Sequence, residues 1–561
     1  MTLLDDTADL DASLAASIAE APDDEYGAIF TKDWVVEMIL DLVGYSADRD
    51  LGSMQAVEPS CGHGSFLIPM IRRLADSCAI HDRDIESLTS AIWAVDLQPG
   101  HVQECRVRVA SELRNHGVAE AASQTLAESW VMHSDFLLAS YEHEQADFVI
   151  GNPPYIRLEA VSEGRSAAYR KACSTMGGRS DIYVGFFEAG LRMLSEDGAL
   201  GFICADRWMR NQYGQRLRAL VSENFSVEAT VEMHDVDAFD ADVSAYPSVV
   251  VIRRRPQQTA VVANASRSFD GPASRRLVDW ATAPTAEVLD DAAFEVSELG
   301  AWFKGTAPWP SGSPSRLALL RDLEQTFPAL EDPQTGTRVG IGVATGADSV
   351  LIPKEPPAIE EGRLLPLAMA ADTASGVMEW SGRHLVNPWA DDGSGLVELD
   401  DFPKLAAYFE ANAESLLRRN VASRRPAQWF RTIDRVDPAL TQRPKLLIPD
   451  IKDRLHPVLD AGKYYPHHNL YFVESQRWDL EALGGLLLSA IAQMFVECYA
   501  VRMRGGFFRF QAQYLRKIRV PEYDHVSTDA MDALAEAFRA RDHRAASAIA
   551  LPLYGLESLP A

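Results

Sequence analysis

Asp147-Phe148-Val149-Ile150-Gly151-Asn152-Pro153-Pro154-Tyr155 is the stretch that decides how this chain is read. Phe148 to Ile150 has the composition of a strand buried on both faces, and it ends at a glycine and two prolines that cannot extend a ladder. A strand stopping there leaves Asn152 and Tyr155 at its carboxyl end, where open α/β sheets hold their ligands. An Asn carboxamide oxygen and a backbone carbonyl held rigid by prolines can accept both N–H bonds of an amino group conjugated to an aromatic ring. Those bonds draw the nitrogen toward tetrahedral geometry and release its lone pair for attack on a methyl group, while Tyr155 stacks on the ring. The plainer reading is a strand, a Pro-Pro turn and an aromatic plug, and the neighbouring motifs choose between the two.

Working outward, Ala56-Val57-Glu58, Ile92 to Asp96 and Gly201 to Cys204 read as further buried parallel strands. Helical periodicity around Val35 to Val43, Ser65 to Ala75 and Tyr183 to Leu194 fills the intervals, and Ser248 to Arg255 reads as the last strand. The pattern is α/β, a doubly wound, mostly parallel sheet. After the first strand, Glu58-Pro59-Ser60-Cys61-Gly62-His63-Gly64 opens a helix; its glycines let backbone approach a ligand, and a helix N-terminus favours a carboxylate. Asp96, followed by Leu97, ends the second strand, where an acid accepts from both hydroxyls of a ribose. Asp135-Phe136 sits in a Ser-Asp-Phe-Leu turn suited to an adenine ring, carboxylate to amino group and phenyl to face. Each acid alone is an ordinary cap or turn residue, but in series they outline one nucleoside-shaped site.

Domain limits follow from composition. Residues 1–26 carry eight acids and no Lys or Arg, an acidic mobile tail. Residues 27–255 form the α/β domain, 256–315 a Pro-, Ala- and Ser-rich linker with irregular packing, and 316–561 a second domain. A net charge of −28 is poor for binding a polyanion, so charge distribution must outweigh the total. Basic residues do cluster at 165–179, 418–431 and 502–519. Six cysteines without a C-x-x-C pair argue against zinc and disulfides, and no metal is expected; a reducing cytoplasm fits. Leu483 to Val501, interrupted by Gln493 and Glu497, reads as a buried helix, so no membrane span is expected.

The ordered set Glu58 to Gly64, Asp96, Asp135-Phe136 and Asn152 to Tyr155 resembles the S-adenosylmethionine-dependent DNA N6-adenine methyltransferases of the gamma arrangement, in which target recognition is C-terminal. The resemblance implies a class I methyltransferase, Rossmann-like fold followed by an α+β target-recognition domain. It implies S-adenosylmethionine bound by Phe30, Thr31, Glu58, Ser60, Cys61, Gly62, Gly64, Asp96, Leu97, Asp135, Phe136 and Asn152. Phe30-Thr31-Lys32 is similar to the family's Phe-Thr-Pro segment over the methionine end, with Lys32 in place of Pro. Asn152, Pro153, Pro154 and Tyr155 would be catalytic, and Phe239 resembles the aromatic that takes the other face of the target base, with Tyr246 a competitor. Further segments are similar to recurrent parts of the recognition domain: Val339 to Gly346, Lys445 to Asp450, Asn469 to Phe472 and Arg504 to Phe510. In the last, Arg504, Phe508 and Arg509 can meet bases by stacking and phosphates by charge.

The expected reaction is therefore site-specific methylation of N6 on an adenine flipped from double-stranded DNA, in a restriction-modification or related defence system. Cytosine C5 chemistry needs a Pro-Cys nucleophile that the chain lacks. Cytosine N4 chemistry is closer, but that family usually carries Ser in place of Asn152. Two rivals stay open: a protein glutamine N5-methyltransferase, which shares the tetrapeptide, and a non-catalytic DNA-binding subunit of a defence complex. Cleavage, if any, is expected from a separate restriction endonuclease.

Overall fold

The computed structural model describes residues 13–18, 30–139, 145–240, 246–283, 288–300, 302–500, 502–503 and 506–560. The acidic tail expected over 1–26 lies outside them except for a helical turn at 13–18. The chain divides into two compact units, Met1–Leu317 and Ala318–Ala561.

The first unit is built on one ten-stranded sheet. Its strands are β1 (Ala56–Glu58), β2 (Ile92–Asp96), β3 (Val131–His133), β4 (Ala146–Gly151), β5 (Leu194–Ala205), β6 (Ser226–Glu232), β7 (Pro247–Arg253), β8 (Thr259–Ala265), β9 (Val288–Asp290) and β10 (Phe294–Gly300). They lie in the order 3-2-1-4-5-7-6-8-10-9. Strands β1 to β5 are mutually parallel, and β7 runs antiparallel to both β5 and β6. Because β1 pairs with β2 on one side and β4 on the other, the winding reverses between β1 and β4, and a crevice opens at their carboxyl ends. The expected α/β, mostly parallel sheet is what the chain forms.

One glycine sets the packing over the sheet centre. The helix Asp33–Val43 buries Val35, Val36, Met38, Ile39, Leu40 and Val43, and a Cβ on Gly201 of β5 would fall 2.4 Å from Val43 Cγ1. Only a residue without a side chain lets that helix sit so close.

The structure corrects the linker expected over 256–315. β8 pairs in parallel with β6, β10 pairs antiparallel with β8, and the helix Gly271–Thr282 lies between them in sequence. That helix is capped by Asp270, whose carboxylate accepts from Ala273 N at 3.0 Å, and it buries Leu277 and Trp280. β7 is thus not the last strand. Pro308 and Pro310 lie in a loop, while Pro272 and Pro314 stand in the first turns of the helices Gly271–Thr282 and Pro314–Thr326, so prolines that mark loops and helix starts account for the loop-like composition of the stretch.

The second unit is α+β. β11 (Arg338–Ile341), β14 (Lys445–Pro449), β16 (Val458–Asp460) and β18 (Leu470–Glu474) form an antiparallel sheet in the order 11-18-14-16. β12 (Leu364–Ala368), β13 (His384–Val386) and β17 (Tyr465–Pro466) form a second sheet, and β15 (Ile451–Lys452) pairs with β19 (Phe508–Arg509). The apolar stretch expected as one buried helix is two, Leu480–Leu488 and Ala490–Tyr499, bent by 63°. Ser489 makes the break: its side chain caps the second helix at Ala492 N. No single helix among the described residues is long and apolar enough to cross a membrane.

Candidate active site

The crevice at the β1/β4 reversal is a cavity of about 480 Å³, within the usual range of small-molecule sites. Of the residues predicted for the cofactor, Phe30, Thr31, Glu58, Ser60, Cys61, Gly62, Asp96, Leu97, Asp135, Phe136 and Asn152 all line it, together with Pro154. Gly64 does not; it lies on the outer side of the same turn, lining a neighbouring recess with His63 and Arg108.

The strand-to-helix turn after β1 is shaped by its two glycines, Gly62 at φ 50° and Gly64 at φ 89°, a region that disfavours side chains. Gly62 N–H donates to Asp96 Oδ2 at 2.9 Å, and Gln98 N–H donates to Oδ1 at 2.9 Å. His101 adds Nδ1 at 3.3 Å from Oδ1. The carboxylate at the end of β2 is therefore held by the loops after β1 and β2 and lines the pocket. Glu58 is 1% exposed and its Oε2 has no hydrogen-bond partner. Burial, with Cys105 and Asp96 nearby, pushes its carboxyl well above the usual range.

Asp135 is fixed just as firmly. Its Oδ1 accepts from Leu137 N at 3.0 Å, its Oδ2 from Tyr169 Oη at 2.7 Å, and Ser17 Oγ also donates to Oδ2. Arg165 Nη2 in turn donates to the Ser17 carbonyl at 2.6 Å. Phe136 stacks on Phe186 with centroids 5.3 Å apart and planes 24° apart. Ser17, His101 and Tyr169 were not foreseen, and Phe186 was read only as part of the helix from Tyr183 to Leu194, not as a pocket residue. Arg165 is visible in the sequence only as part of a basic cluster, and Ser17, His101 and Tyr169 carry no local signal of a ligand.

Asn152 follows directly on β4. Its Nδ2 donates to Thr31 Oγ1 at 3.1 Å and its backbone carbonyl accepts from Ser60 Oγ at 3.0 Å. With Nδ2 turned to Thr31, the amide presents its acceptor Oδ1 on the opposite side of Cγ. The loop beyond it is pinned by Leu158 N to Ser180 O at 3.0 Å and Ile182 N to Ile156 O at 2.8 Å. Tyr155 is anchored by a long bond from Oη to Ile203 O, 3.4 Å.

Phe239 reaches this place through a short ladder: Thr31 bridges Phe239, Lys32 N donates to Ala238 O at 3.1 Å, and Asp240 N donates to Phe30 O at 3.0 Å. The Tyr155 and Phe239 rings meet edge to face, centroids 6.3 Å apart and planes at 81°. A base held between two aromatic faces needs those faces parallel, so one ring must turn. Tyr246, the competitor, packs on His234 at 5.1 Å. Pro153, Tyr155 and Phe239 flank the pocket without being among its lining residues.

Known proteins match this arrangement. Over 545 residues, spanning 95% of this chain and 98% of the relative, the sequence is 44% identical to Type II methyltransferase M.XhoI of Xanthomonas vasicola. The chain belongs to the Type II methyltransferases. It is also 44% identical to M.PaeR7I of Pseudomonas aeruginosa, over 94% of this chain and 92% of that one, and 38% identical to M.BstVI of Geobacillus stearothermophilus, over 91% and 92%. Residues 90–239 match the Eco57I restriction-modification methylase family, and residues 408–520 the TaqI-like C-terminal specificity domain. The solved structure of the Type IIL restriction-modification enzyme MmeI in complex with DNA shares the fold, at TM-score 0.53 and 13% identity over 94% of this chain and 74% of that one. This is a DNA methyltransferase of restriction-modification.

In this Type II methyltransferase the predicted recognition residues fare unevenly. Arg504 lies outside the described residues. Arg509 makes a forked ion pair with Asp450, Nε to Oδ1 at 3.3 Å and Nη2 to Oδ2. Phe508 is half-buried beside the more exposed Phe507. Arg419, read as part of a basic cluster, is buried and donates to the carbonyls of Leu416, Thr345 and Trp429 at 3.0, 2.7 and 2.8 Å. Its charge is spent on holding the fold.

Proposed function

We propose that this Type II methyltransferase transfers a methyl group from S-adenosylmethionine to N6 of an adenine flipped out of double-stranded DNA. The observation that carries the reading is the Asn152 amide, fixed by Thr31 at the mouth of a pocket whose other walls hold Glu58, Asp96 and Asp135. Those residues fit the cofactor. Asp96 suits ribose hydroxyls, Asp135 and Phe136 suit an adenine ring, and Glu58 Oε2 is a buried acceptor lacking the donor that a methionine amino group would provide. Bound there, S-adenosylmethionine supplies an electrophilic methyl on a sulfonium.

The chain's own residues do the rest. Asn152 Oδ1 and the Pro153 carbonyl accept from the two N–H bonds of the target amino group, Pro154 keeps that pair of acceptors rigid, and Tyr155 and Phe239 take the faces of the base after one ring rotates. The same acceptors would also serve a cytosine amino group; the gamma order of motifs favours adenine. All six cysteines are free thiols, which suits work in a reducing cytoplasm. Cleavage of unmodified DNA would fall to a separate restriction endonuclease. Long-read methylation profiling of DNA from cells expressing the chain, with Asn152→Ala as control, reports base and context together. N6-methyladenine at one recurring sequence, lost in the variant, is expected. Label from tritiated cofactor on protein and none on DNA would sink the proposal and favour glutamine methylation; label on neither would favour a non-catalytic subunit.

A further inference from the structure

Two groups of metal-capable side chains stand out among the described residues, and their surroundings differ. In the first, His234 bridges Asp206 at 2.6 Å and Glu232 at 2.9 Å, and Arg210 pairs with Asp206. Two cations there answer two carboxylates, which leaves no charge for an ion to neutralise.

The second group is Asp348, His467 and His468, in the C-terminal unit. No Lys or Arg pairs with Asp348 among the described residues; its ion-pair contact is His467. One ligand atom from each of the three residues lies within 4.8 Å of the others. His467 Nε2 stands 3.3 Å from Asp348 Oδ2, longer than the roughly 2.7–2.9 Å of a charge-assisted hydrogen bond. It is instead close to the edge of a ligand tetrahedron around zinc, about 3.3–3.4 Å for metal–ligand bonds of about 2.0–2.1 Å. His467 is only 2% exposed, and the Nδ1 atoms of both imidazoles are buried without a hydrogen-bond partner. The rings of these two consecutive residues lie 4.1 Å apart, which lets one ion reach a nitrogen of each beside the Asp348 carboxylate.

The backbone around the group is built to hold it. The segment after β11 is laced to the turn between β17 and β18 by Val343 N to Pro466 O at 2.9 Å, His468 N to Val343 O at 3.0 Å, and Gly342 N to Leu470 O at 2.9 Å. A Cβ on Gly342 would sit 2.2 Å from the His467 carbonyl oxygen, so glycine alone permits that approach. Thr345 Oγ1 donates to Asp348 Oδ1, and Arg419 Nη1 donates to the Thr345 carbonyl at 2.7 Å. Outer contacts of this kind orient metal ligands.

We infer that Asp348, His467 and His468 bind one borderline divalent ion, of the zinc, cobalt or nickel class, with Asp348 on the solvent side. Two imidazoles and one carboxylate suit those ions better than magnesium or calcium. The ion ties the segment after β11 to the turn before β18. No local motif announces it, because Asp348 and His467 are 119 residues apart and no short-range spacing connects them.

The test is a cobalt titration of the full chain after treatment with a chelator. One saturating equivalent is expected, with the visible absorption of a four-coordinate site, displacement by zinc, and a melting midpoint several degrees higher with zinc than without. Asp348→Asn and His468→Gln should each weaken binding at least tenfold, and His525→Gln, on the surface, should not. Absence of saturable binding by the unaltered chain at tens of micromolar overturns the inference, as does binding that survives both variants unchanged. The unaltered chain is titrated first, so its spectrum decides the inference even where a variant fails to fold.

Discussion

Thr31 and Asn152 lie 121 residues apart in sequence and meet through one hydrogen bond, Nδ2 to Oγ1 at 3.1 Å. That bond sets which end of the amide faces the substrate. Thr31→Val keeps the shape and removes the acceptor. We expect kcat to fall about ten-fold, the scale of one lost hydrogen bond, with little change in KM for DNA. Steady-state kinetics on methylated product would measure it, and an unchanged kcat would show that Thr31 does not orient the amide.

Asp96 is held by two backbone N–H groups and by His101. Asp96→Ala should raise the cofactor Kd at least ten-fold while leaving DNA binding in gel shifts intact. Calorimetry with S-adenosylmethionine checks this, and equal affinity in the variant would remove Asp96 from the cofactor site.

The Asp206–Arg210–His234–Glu232 network predicts a pH dependence. Burial alone would lower the His234 pKa, but Glu232 and Asp206 outweigh it and raise it to about 9 from 6.5. Its stabilising contribution is therefore complete below pH 6.5 and lost as pH climbs through 9. Burial would raise Asp206 and Glu232, yet Arg210 and His234 hold both below the ordinary carboxylate range, so their contribution is lost on acidification. Scanning melting midpoints from pH 6.5 to 9.5 should show a decline, of the order of 2–3 kcal/mol in total, that His234→Gln flattens. A variant with the same slope would place the decline elsewhere.

Lys445 and Asp460 are both 0% exposed and pair at 2.7 Å. Lys445 Nζ also donates to the Leu440 and Arg443 carbonyls, each at 2.9 Å. Lys445→Met strands the carboxylate and should cost about 3–5 kcal/mol, seen as a lower denaturant midpoint for the second unit. Lys445→Met with Asp460→Asn should recover part of that loss.

Gly201→Ala should lower the melting midpoint of the first unit, since the new methyl would sit 2.4 Å from Val43 Cγ1. Overpacking of this kind costs about 1–3 kcal/mol. A neutral result would mean that the helix Asp33–Val43 shifts freely.

What could be read from the residues was whatever had a local cause. β1 and β2 are short apolar runs ending in Glu58 and Asp96, and β4 is one that leads directly into Asn152; such runs stay legible because burial on both faces imposes composition residue by residue. β8 and β10 escaped because their buried apolar residues, Val261, Val262, Phe294 and Val296, are interspersed with Thr, Asn, Glu and Ser, and the Pro-, Ala- and Ser-rich stretches around them dominate the composition. Tyr169 and Arg165 escaped for another reason: a helix built of Ser, Ala, Tyr and Arg looks like a solvated face until it is placed over Asp135. The edge-to-face setting of Phe239 against Tyr155 is a matter of rotamer and approach angle, which no residue type encodes.

Residues 30–32 and 238–240 are joined by the Thr31–Phe239 bridge into one small clasp, and the clasp touches both halves of the proposed chemistry. Phe30 and Thr31 border the pocket, while Phe239 sits on the other arm of the clasp next to Tyr155. On the proposed reading, letting go of spent cofactor means opening the clasp, and opening the clasp slackens the wall that holds the base. Product exchange and release of the base then share one hinge, which disfavours processive modification of successive sites.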